Sequence, residues 1–424
     1  MLAMSPIRPT PLPVSPRSAL AEPTVSVPRL WVVWISLASI GVWAGFFGPI
    51  QVLLAQQAEL VAPDSKELVF GLVTGVGAAV SVVSNPLFGA LSDRTTSRFG
   101  RRVPWIVLGG ATGAAALLVL AATESLWGML LGWSLAQAGL NAMLAAVTAT
   151  IPDQVPVEQR GAVGGWVAIA QTLGVVGGVG IAAVTGGVAA GFVATAAALV
   201  VLAVPFVLRS GDRPLGRAYV PPLRLRAFVA GFWVDPGVHP DFAWAWLTRF
   251  LLNLGNALGT LYLFFYLQDA VGYADPETGV FVLTGLYALA LVATTVVGGI
   301  WSDRAGRRRV FVTVSGLVAA SASVILAVTQ TWPGALLAAV VLGAGYGVYT
   351  AVDFALITPV LPAATARAKD LGVINIANAL PQVFAPLLAT LLVTLAGGYT
   401  SLYLFSAAVC LLGSVLVYRI RGVR

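Results

Sequence analysis

Residues 89–103 read GALSDRTTSRFGRRV, and residues 299–308 read GIWSDRAGRR. The first glycines of the two stretches, Gly89 and Gly299, are 210 residues apart, which is close to half of the 424-residue chain. The first copy is longer, because four extra residues precede its second glycine. A motif that recurs at half the chain length indicates that the chain consists of two related halves.

The composition excludes a soluble protein. Hydrophobic residues make up 58% of the chain and charged residues 10%, whereas soluble domains carry roughly a quarter charged residues. A membrane-spanning helix needs about 20 mostly apolar residues. The connections are too short for a catalytic domain, so we predict no enzyme activity, no cofactor and no metal site. The predicted spans are 30–56, 67–91, 103–122, 126–151, 161–184, 187–208, 242–268, 279–301, 310–329, 334–360, 371–395 and 401–418.

The positive charges alternate between connections. Of the 24 lysines and arginines, all but Lys66 and Arg249 lie in the termini and in every second connection. We therefore expect a multi-pass protein of the plasma (inner) membrane, and the positive-inside rule places both of its termini in the cytoplasm. This distribution also argues against nucleic-acid binding as the reason for the net charge of +7.

Five segments follow from these patterns. Residues 1–29 are rich in proline and are expected to form a disordered cytoplasmic tail. We expect a six-helix bundle at 30–208, a cytoplasmic linker at 209–241, a second six-helix bundle at 242–418 and a cytoplasmic tail at 419–424.

The repeated loop resembles the signature of the major facilitator superfamily, which follows the second and eighth helices. The longer first copy, continued by Val103-Pro104-Trp105-Ile106, is similar to the branch that contains the glycoside-pentoside-hexuronide cation symporters and the plant sucrose transporters. The resemblance implies an all-α membrane protein with twelve transmembrane helices in two pseudo-symmetric six-helix bundles. It also implies alternating access around a substrate site between the halves.

The loop residues are expected to form a cytoplasmic gate. Asp93 and Asp303 follow helix ends, where a carboxylate can bind the N-terminus of a neighbouring helix and pair with arginines. The resemblance implies that the two copies hold the halves together in the outward-facing state, whereas the alternative is that the arginines only set topology. The expected gate residues are Gly89, Asp93, Arg94, Arg98, Gly100, Arg101, Arg102, Asp153, Arg160, Gly299, Asp303, Arg304, Gly306, Arg307 and Arg308.

Two charged residues lie deep within predicted spans, Arg249 on the seventh and Asp353 on the tenth. Ionisable groups at bilayer depth are costly and are functional candidates by default. We predict an ion pair between them, with Asp353 as the proton-binding member because arginine stays charged. A structural salt bridge without a transport role is the alternative.

Amide and aromatic side chains recur at helical spacing along several spans. Such groups suit a neutral polyhydroxylated ligand, while Arg249 leaves a uronide or organic anion open. Hydrogen bonding between helices is the alternative for any single amide. The predicted cavity residues are Gln51, Asn85, Trp133, Gln137, Asn141, Trp166, Gln171, Asn253, Asn256, Tyr346, Tyr349, Asn375, Asn378 and Gln382.

The acidic residues depart from the glycoside branch. Sodium-coupled members of that branch carry acids in the first, second and fourth spans, and the interior of those spans contains no Asp or Glu here. The single histidine, His239, lies in the central connection. Coupling therefore rests on protons and Asp353, or transport is uncoupled.

The sequence thus predicts a secondary transporter for a small polar solute, with a sugar or glycoside as the preferred cargo. Its expected partners are this solute, protons and the lipid bilayer, and we expect a monomer. A proton-driven exporter of a drug-like compound or metabolite is the alternative, because apolar aromatic residues also line export cavities. A receptor that keeps the fold without transport is a third reading, which the two intact loops disfavour.

Overall fold

The computed structural model describes residues 22–216, 220, 235–357 and 367–421. Within these ranges the chain consists of long helices joined by short connections. Eleven of the helices are long and apolar enough to cross a membrane, and a bent pair gives a twelfth span. This confirms the predicted all-α membrane fold.

The spanning helices are numbered in chain order. The first six are α1 (Arg29–Val61), α2 (Lys66–Ser92), α3 (Val103–Ala122), α4 (Leu126–Gln154), α5 (Val157–Val184) and α6 (Val188–Arg209). The next six are α7 (Pro240–Leu261, continued by Leu263–Val271), α8 (Pro276–Ala305), α9 (Arg308–Thr329), α10 (Trp332–Ile357), α11 (Arg367–Leu395) and α12 (Gly398–Leu416).

Many helices extend a few residues beyond the predicted spans, because the polar residues that follow an apolar stretch remain helical. Between α4 and α5 the chain leaves the helix only at Val155 and Pro156. A proline disfavours helical geometry in the residue before it, which sets this boundary.

α1 and α7, the first helices of the two halves, both depart from regular α-helical geometry. In α1 a π-helical turn covers Pro49–Leu53, where the proline has no N–H for the helical ladder. α7 bends by 42° after Leu261 and ends in a π-helical turn at Tyr266–Val271. The predicted span 242–268 therefore consists of two helical pieces.

We call the end of the molecule that carries the loops at 93–102 and 306–307 the arginine-rich end, and the other the opposite end. The two halves pack through α2 against α11 and α5 against α8. Near the opposite end the ring of Phe70 lies 5.3 Å from that of Tyr262 and 5.4 Å from that of Phe265. An added Cβ at Gly71 would overlap the Thr390 hydroxyl. The halves are therefore in close contact at that end.

Parts of the expected tail and linker contact the first bundle. The backbone N–H of Val27 donates to Gln159 Oε1 at 2.9 Å, and its carbonyl accepts from Gln159 Nε2 at 3.0 Å. Residues 22–28 are thus fixed against α5, while residues 1–21 lie outside the described ranges. At the start of the linker, the carbonyl of Ser210 accepts from Trp31 Nε1 at 3.2 Å. Residues 217–219 and 221–234 of the linker also lie outside the described ranges.

Candidate functional site

Arg249 on α7 is the centre of a buried polar network in the second half. Its Nη1 lies 2.6 Å from Asp353 Oδ2 on α10, and its Nε donates to Asn378 Oδ1 on α11 at 2.6 Å. The side chains of Arg249 and Asp353 are only 15% and 11% exposed. The predicted ion pair is therefore present, and its role in coupling stays a prediction.

Neighbouring side chains extend this network over the three helices. Tyr349 donates to Asp353 Oδ1 at 2.9 Å, so both carboxylate oxygens have partners. Tyr346 donates to Asn253 Oδ1 at 2.6 Å, and Asn253 Nδ2 donates to Asn378 Oδ1 at 3.2 Å. Six of the predicted positions on α7, α10 and α11 thus form one connected set: Arg249, Asn253, Tyr346, Tyr349, Asp353 and Asn378.

Tyr287 on α8 joins the same region and was not predicted. Its hydroxyl donates to Asn256 Oδ1 at 3.0 Å, and Asn256 O accepts from Thr260 at 3.0 Å. Little in the sequence pointed to Tyr287, because a lone tyrosine in an apolar span also fits simple packing.

The first half presents a smaller amide cluster between α2 and α4. Asn85 Nδ2 donates to Asn141 Oδ1 at 3.3 Å. Asn141 Nδ2 in turn donates to the Gln137 carbonyl at 2.8 Å and to Gln137 Oε1 at 3.2 Å. These three predicted residues are therefore brought together, and none of them carries a charge.

Trp133 and Gln51 take packing roles in this conformation. Trp133 is fully buried, and its ring occupies the space above Gly77 between α2 and α4. Gln51 is buried too, and its Oε1 accepts from Thr284 of α8 at 2.9 Å. A role of either residue in contacting the substrate stays a prediction.

The remaining predicted cavity residues are Trp166, Gln171, Gln382 and Asn375. Trp166, Gln171 and Gln382 are exposed, with Trp166 at 59%. They are not joined to either polar cluster by a hydrogen bond between described residues. The side chain of Asn375 lies outside the described part of the chain.

The first arginine-rich loop is held together within its own half. Arg102 is buried, and it contacts Asp93 Oδ1 at 2.7 Å and Asp153 Oδ2 at 2.6 Å. Arg101 also pairs with Asp153. These residues do not join the halves through the described contacts, so their predicted role as a gate between halves is untested in this conformation.

Asp212, which follows α6, was not predicted as part of this loop. Its Oδ2 accepts from the backbone N–H groups of Arg102 at 2.6 Å and Val103 at 2.9 Å, at the N-terminus of α3. Asp93 pairs with Arg102 in this conformation. Burial raises the pKa of Asp212, although the backbone hydrogen bonds oppose that shift.

The other predicted gate residues are dispersed. Arg160 pairs with Glu22 at 2.9 Å and also bonds the carbonyl of Val155 at 3.0 Å, so it ties the tail to α5. Arg94 donates to the Ala90 carbonyl at 2.5 Å, and Arg98 lies over the Phe99 ring at 4.7 Å.

The remaining predicted gate residues are the glycines and the residues of the second copy of the loop. Gly100 and Gly306 both have left-handed backbone geometry, with φ of 98° and 62°, which explains why both copies need a glycine there. Gly89 and Gly299 lie within α2 and α8, and Arg308 begins α9. Arg304 and Arg307 are exposed, and the side chain of Asp303 lies outside the part of the chain that the structure describes.

A cluster of Glu59, Lys66, Gln268 and Asp269 joins the halves at the opposite end. Lys66 Nζ donates to Asp269 Oδ1 at 2.7 Å and to Gln268 Oε1 at 3.1 Å, and it lies 3.4 Å from Glu59 Oε1. Gln268 Nε2 donates back to Glu59 at 2.7 Å. Gln56 and Glu277 form a further hydrogen bond between the halves nearby. None of these residues was predicted as functional.

The described residues contain no group of three or more His, Cys, Asp or Glu that is arranged to hold a metal ion. What the site offers is one shielded acid–guanidinium pair, surrounded by amides and phenols. Such groups can bind a polar solute and exchange a proton.

The chain matches the family described as Major Facilitator Superfamily over residues 45–284 and 275–424. Similar solved structures include a POT peptide transporter in complex with sulfate, at 15% identity and a TM-score of 0.76, which covers 95% of this chain and 96% of that one. A mutant of the nucleoside transporter NupG has 12% identity, a TM-score of 0.73 and coverage of 93% and 99%. No curated protein sequence matches.

These identities establish the fold and not the cargo. The family match covers both halves, and the similar structures are those of transporters. The chain therefore belongs to the major facilitator superfamily, and it is a membrane transporter rather than an enzyme.

Proposed function

We propose that this transporter moves a small, neutral, polyhydroxylated solute, a sugar or a glycoside, with Asp353 as the proton-binding group. The observation that carries the proposal is the pairing of Arg249 with Asp353 and Asn378. Because the guanidinium is already neutralised within its own half, an anionic solute gains little from it. A neutral solute needs only hydrogen-bonding partners.

The two polar clusters supply such partners. Asn85 and Asn141 in the first half and Asn253 and Asn378 in the second carry both donors and acceptors, as sugar hydroxyls require. The Tyr346 ring, 5.5 Å from that of Tyr349, offers a surface for the C–H face of a sugar ring. The resemblance of the first loop to the glycoside branch supports the same cargo.

Coupling follows from the chemistry of the ion pair. Protonation of Asp353 removes its negative charge, whereas Arg249 keeps its positive charge. Since the carboxylate oxygens bond Arg249 and Tyr349, a proton on either oxygen disrupts one of these two interactions. We propose that this change lets the α7, α10 and α11 contacts rearrange during transport.

The arginine-rich end faces the cytoplasm in this proposal, as the positive-inside rule requires. The contacts at the opposite end, such as Lys66 with Asp269, then close the extracellular side. The structure would correspond to an inward-facing state. The arginine loops would join the halves in the other state.

Proteoliposomes that contain the purified protein test the proposal. We expect concentrative uptake of at least one labelled glycoside when the side of entry is acidified, and loss of accumulation when a protonophore removes the gradient. Glycoside uptake that does not depend on the pH gradient would support a glycoside as the cargo and reject coupling to protons. Concentrative export of a drug-like cation, with no glycoside uptake, would replace the proposal with the exporter alternative.

A further inference from the structure

Each half carries an arginine stacked on a tryptophan at the arginine-rich end. The guanidinium carbon of Arg209, at the end of α6, lies 5.5 Å from the ring centroid of Trp34 on α1. That of Arg419, just after α12, lies 5.7 Å from the ring centroid of Trp244 on α7. Trp34 and Trp244 are 210 residues apart, and so are Arg209 and Arg419. The stacked pair therefore belongs to the same internal repeat as the loop motif.

Both arginines present their charge at the surface. Arg209 and Arg419 are exposed, and within the described ranges neither takes part in an ion pair. Trp34 and Trp244 are half-buried and pack on the hydrophobic cores of their halves. A ring held in this way positions the guanidinium through a cation–π contact and leaves its planar N–H edge available for an oxyanion.

An exposed apolar strip adjoins each arginine. On α6, Val201 and Leu208 are 66% and 75% exposed, while Leu411 on α12 and Tyr418 in the turn that follows it are 42% and 53% exposed. These positions are again 210 residues apart in pairs. In a bilayer such side chains contact acyl chains, while tryptophan and arginine at span ends lie at headgroup level.

We propose that the Arg209–Trp34 and Arg419–Trp244 pairs are two equivalent binding sites for the headgroup of an anionic phospholipid. The phosphodiester oxyanion accepts hydrogen bonds from the guanidinium, whose fork geometry matches phosphate. The acyl chains lie along the adjoining strip of α6 or α12. Each half is thereby attached to the same leaflet, whatever solute the protein carries.

Native mass spectrometry of the full-length protein in detergent, titrated with phosphatidylglycerol or phosphatidylcholine, tests the proposal. We expect the wild type to hold two more phosphatidylglycerol molecules than R209Q/R419Q, and each single variant to lose one. Loss of one arginine should weaken phosphatidylglycerol binding at its site about five-fold, the effect of one basic residue at an anionic surface. Phosphatidylcholine binding should change less, because its choline cation offsets the charge of the phosphodiester.

Arg213→Gln is the matched control, because Arg213 is also exposed at this end and has no ring stacked with it in the described part of the chain. An equal loss of phosphatidylglycerol in R213Q, or no loss in R209Q/R419Q, would overturn the proposal. Competition by free glycerol phosphate at the same concentration would also overturn it, because the acyl strip would then contribute nothing.

If a glutamine variant does not fold, R209K and R419K decide the matter. Lysine keeps the charge and removes the planar group that stacks on the ring. Weaker phosphatidylglycerol binding in these variants supports the stacked site, and unchanged binding rejects it.

Discussion

Lys66 on α2 donates a 2.7 Å hydrogen bond to Asp269 at the end of α7, and this ion pair joins the two halves of the transporter. The Lys66 side chain is only 12% exposed and also contacts Glu59 of its own half. A shielded ammonium group that loses its partners is strongly destabilised. The pair should therefore favour the state in which the opposite end is closed.

Lys66→Met should weaken this closure. Methionine keeps the apolar stem, but it leaves Asp269 without its cation, at a cost of about 1.5–3 kcal/mol for a hydrogen bond to a charged group. Spin labels at the exposed positions Leu60 and Leu395, in a Cys410→Ser background, should report a longer distance between the halves. Lys66→Arg is the control and should retain the wild-type distance. An unchanged distance in the methionine variant would show that the pair does not hold this end closed.

Asp353→Asn should separate exchange from accumulation. The amide keeps a hydrogen-bonding group beside Arg249 and Tyr349 but cannot take up a proton at any accessible pH. We expect solute exchange across proteoliposome membranes to persist and concentrative uptake under a pH gradient to fall at least about ten-fold, which is the effect of 1.4 kcal/mol. Glu124→Gln, at an exposed acid in a connection, serves as the control. Retention of gradient-driven uptake by D353N would leave the ion pair with a structural role only.

Gly100→Ala should destabilise the first loop more than Gly306→Ala destabilises the second. Both glycines have positive φ, which costs an alanine about 1–3 kcal/mol of strain. An added Cβ at Gly100 would also overlap the Asp212 carboxylate, whereas the space around Gly306 is open for 4 Å. Thermal unfolding in detergent should show the larger loss for G100A. Equal losses would mean that Asp212 moves aside without cost.

Asp212→Asn should change how stability depends on pH. Burial raises the pKa of Asp212 above its ordinary value of 3.8. A carboxyl group with a raised folded-state pKa stabilises the fold below its ordinary pKa, and this contribution is lost as the pH rises through the raised value. The melting temperature of the wild type minus that of D212N should therefore decrease as the pH rises through that window. A difference that increases with pH would contradict the burial of this group.

The ion pair at the centre of the site was predictable from the sequence. Arg249 and Asp353 are charged residues at membrane depth, where an unpaired charge has a high free-energy cost. Their pairing at 2.6 Å avoids that cost. The sequence did not indicate that Asn378 shares the guanidinium or that Trp133 is buried against Gly77. Those facts depend on how α4 and α11 are rotated about their axes.

The partner of the α3 N-terminus was also beyond the sequence. The repeat placed an aspartate and arginines at each loop, but Asp212, rather than Asp93, accepts the backbone hydrogen bonds of α3. The two candidates differ by more than 100 positions along the chain, and only the return of α6 to the same end brings Asp212 close. A local pattern cannot distinguish between two carboxylate acceptors that are so far apart along the chain.

By itself the sequence determined the membrane location, the twelve spans, the two related halves and the family, because hydrophobic length and a repeated motif are properties of the chain alone. Only the tertiary structure decided which end of the molecule is closed. At that end Asp269, which follows the bend of α7, pairs with Lys66 of the other half. Contacts between distant helices arise from packing geometry, and the spacing of residues along one helix does not encode that geometry.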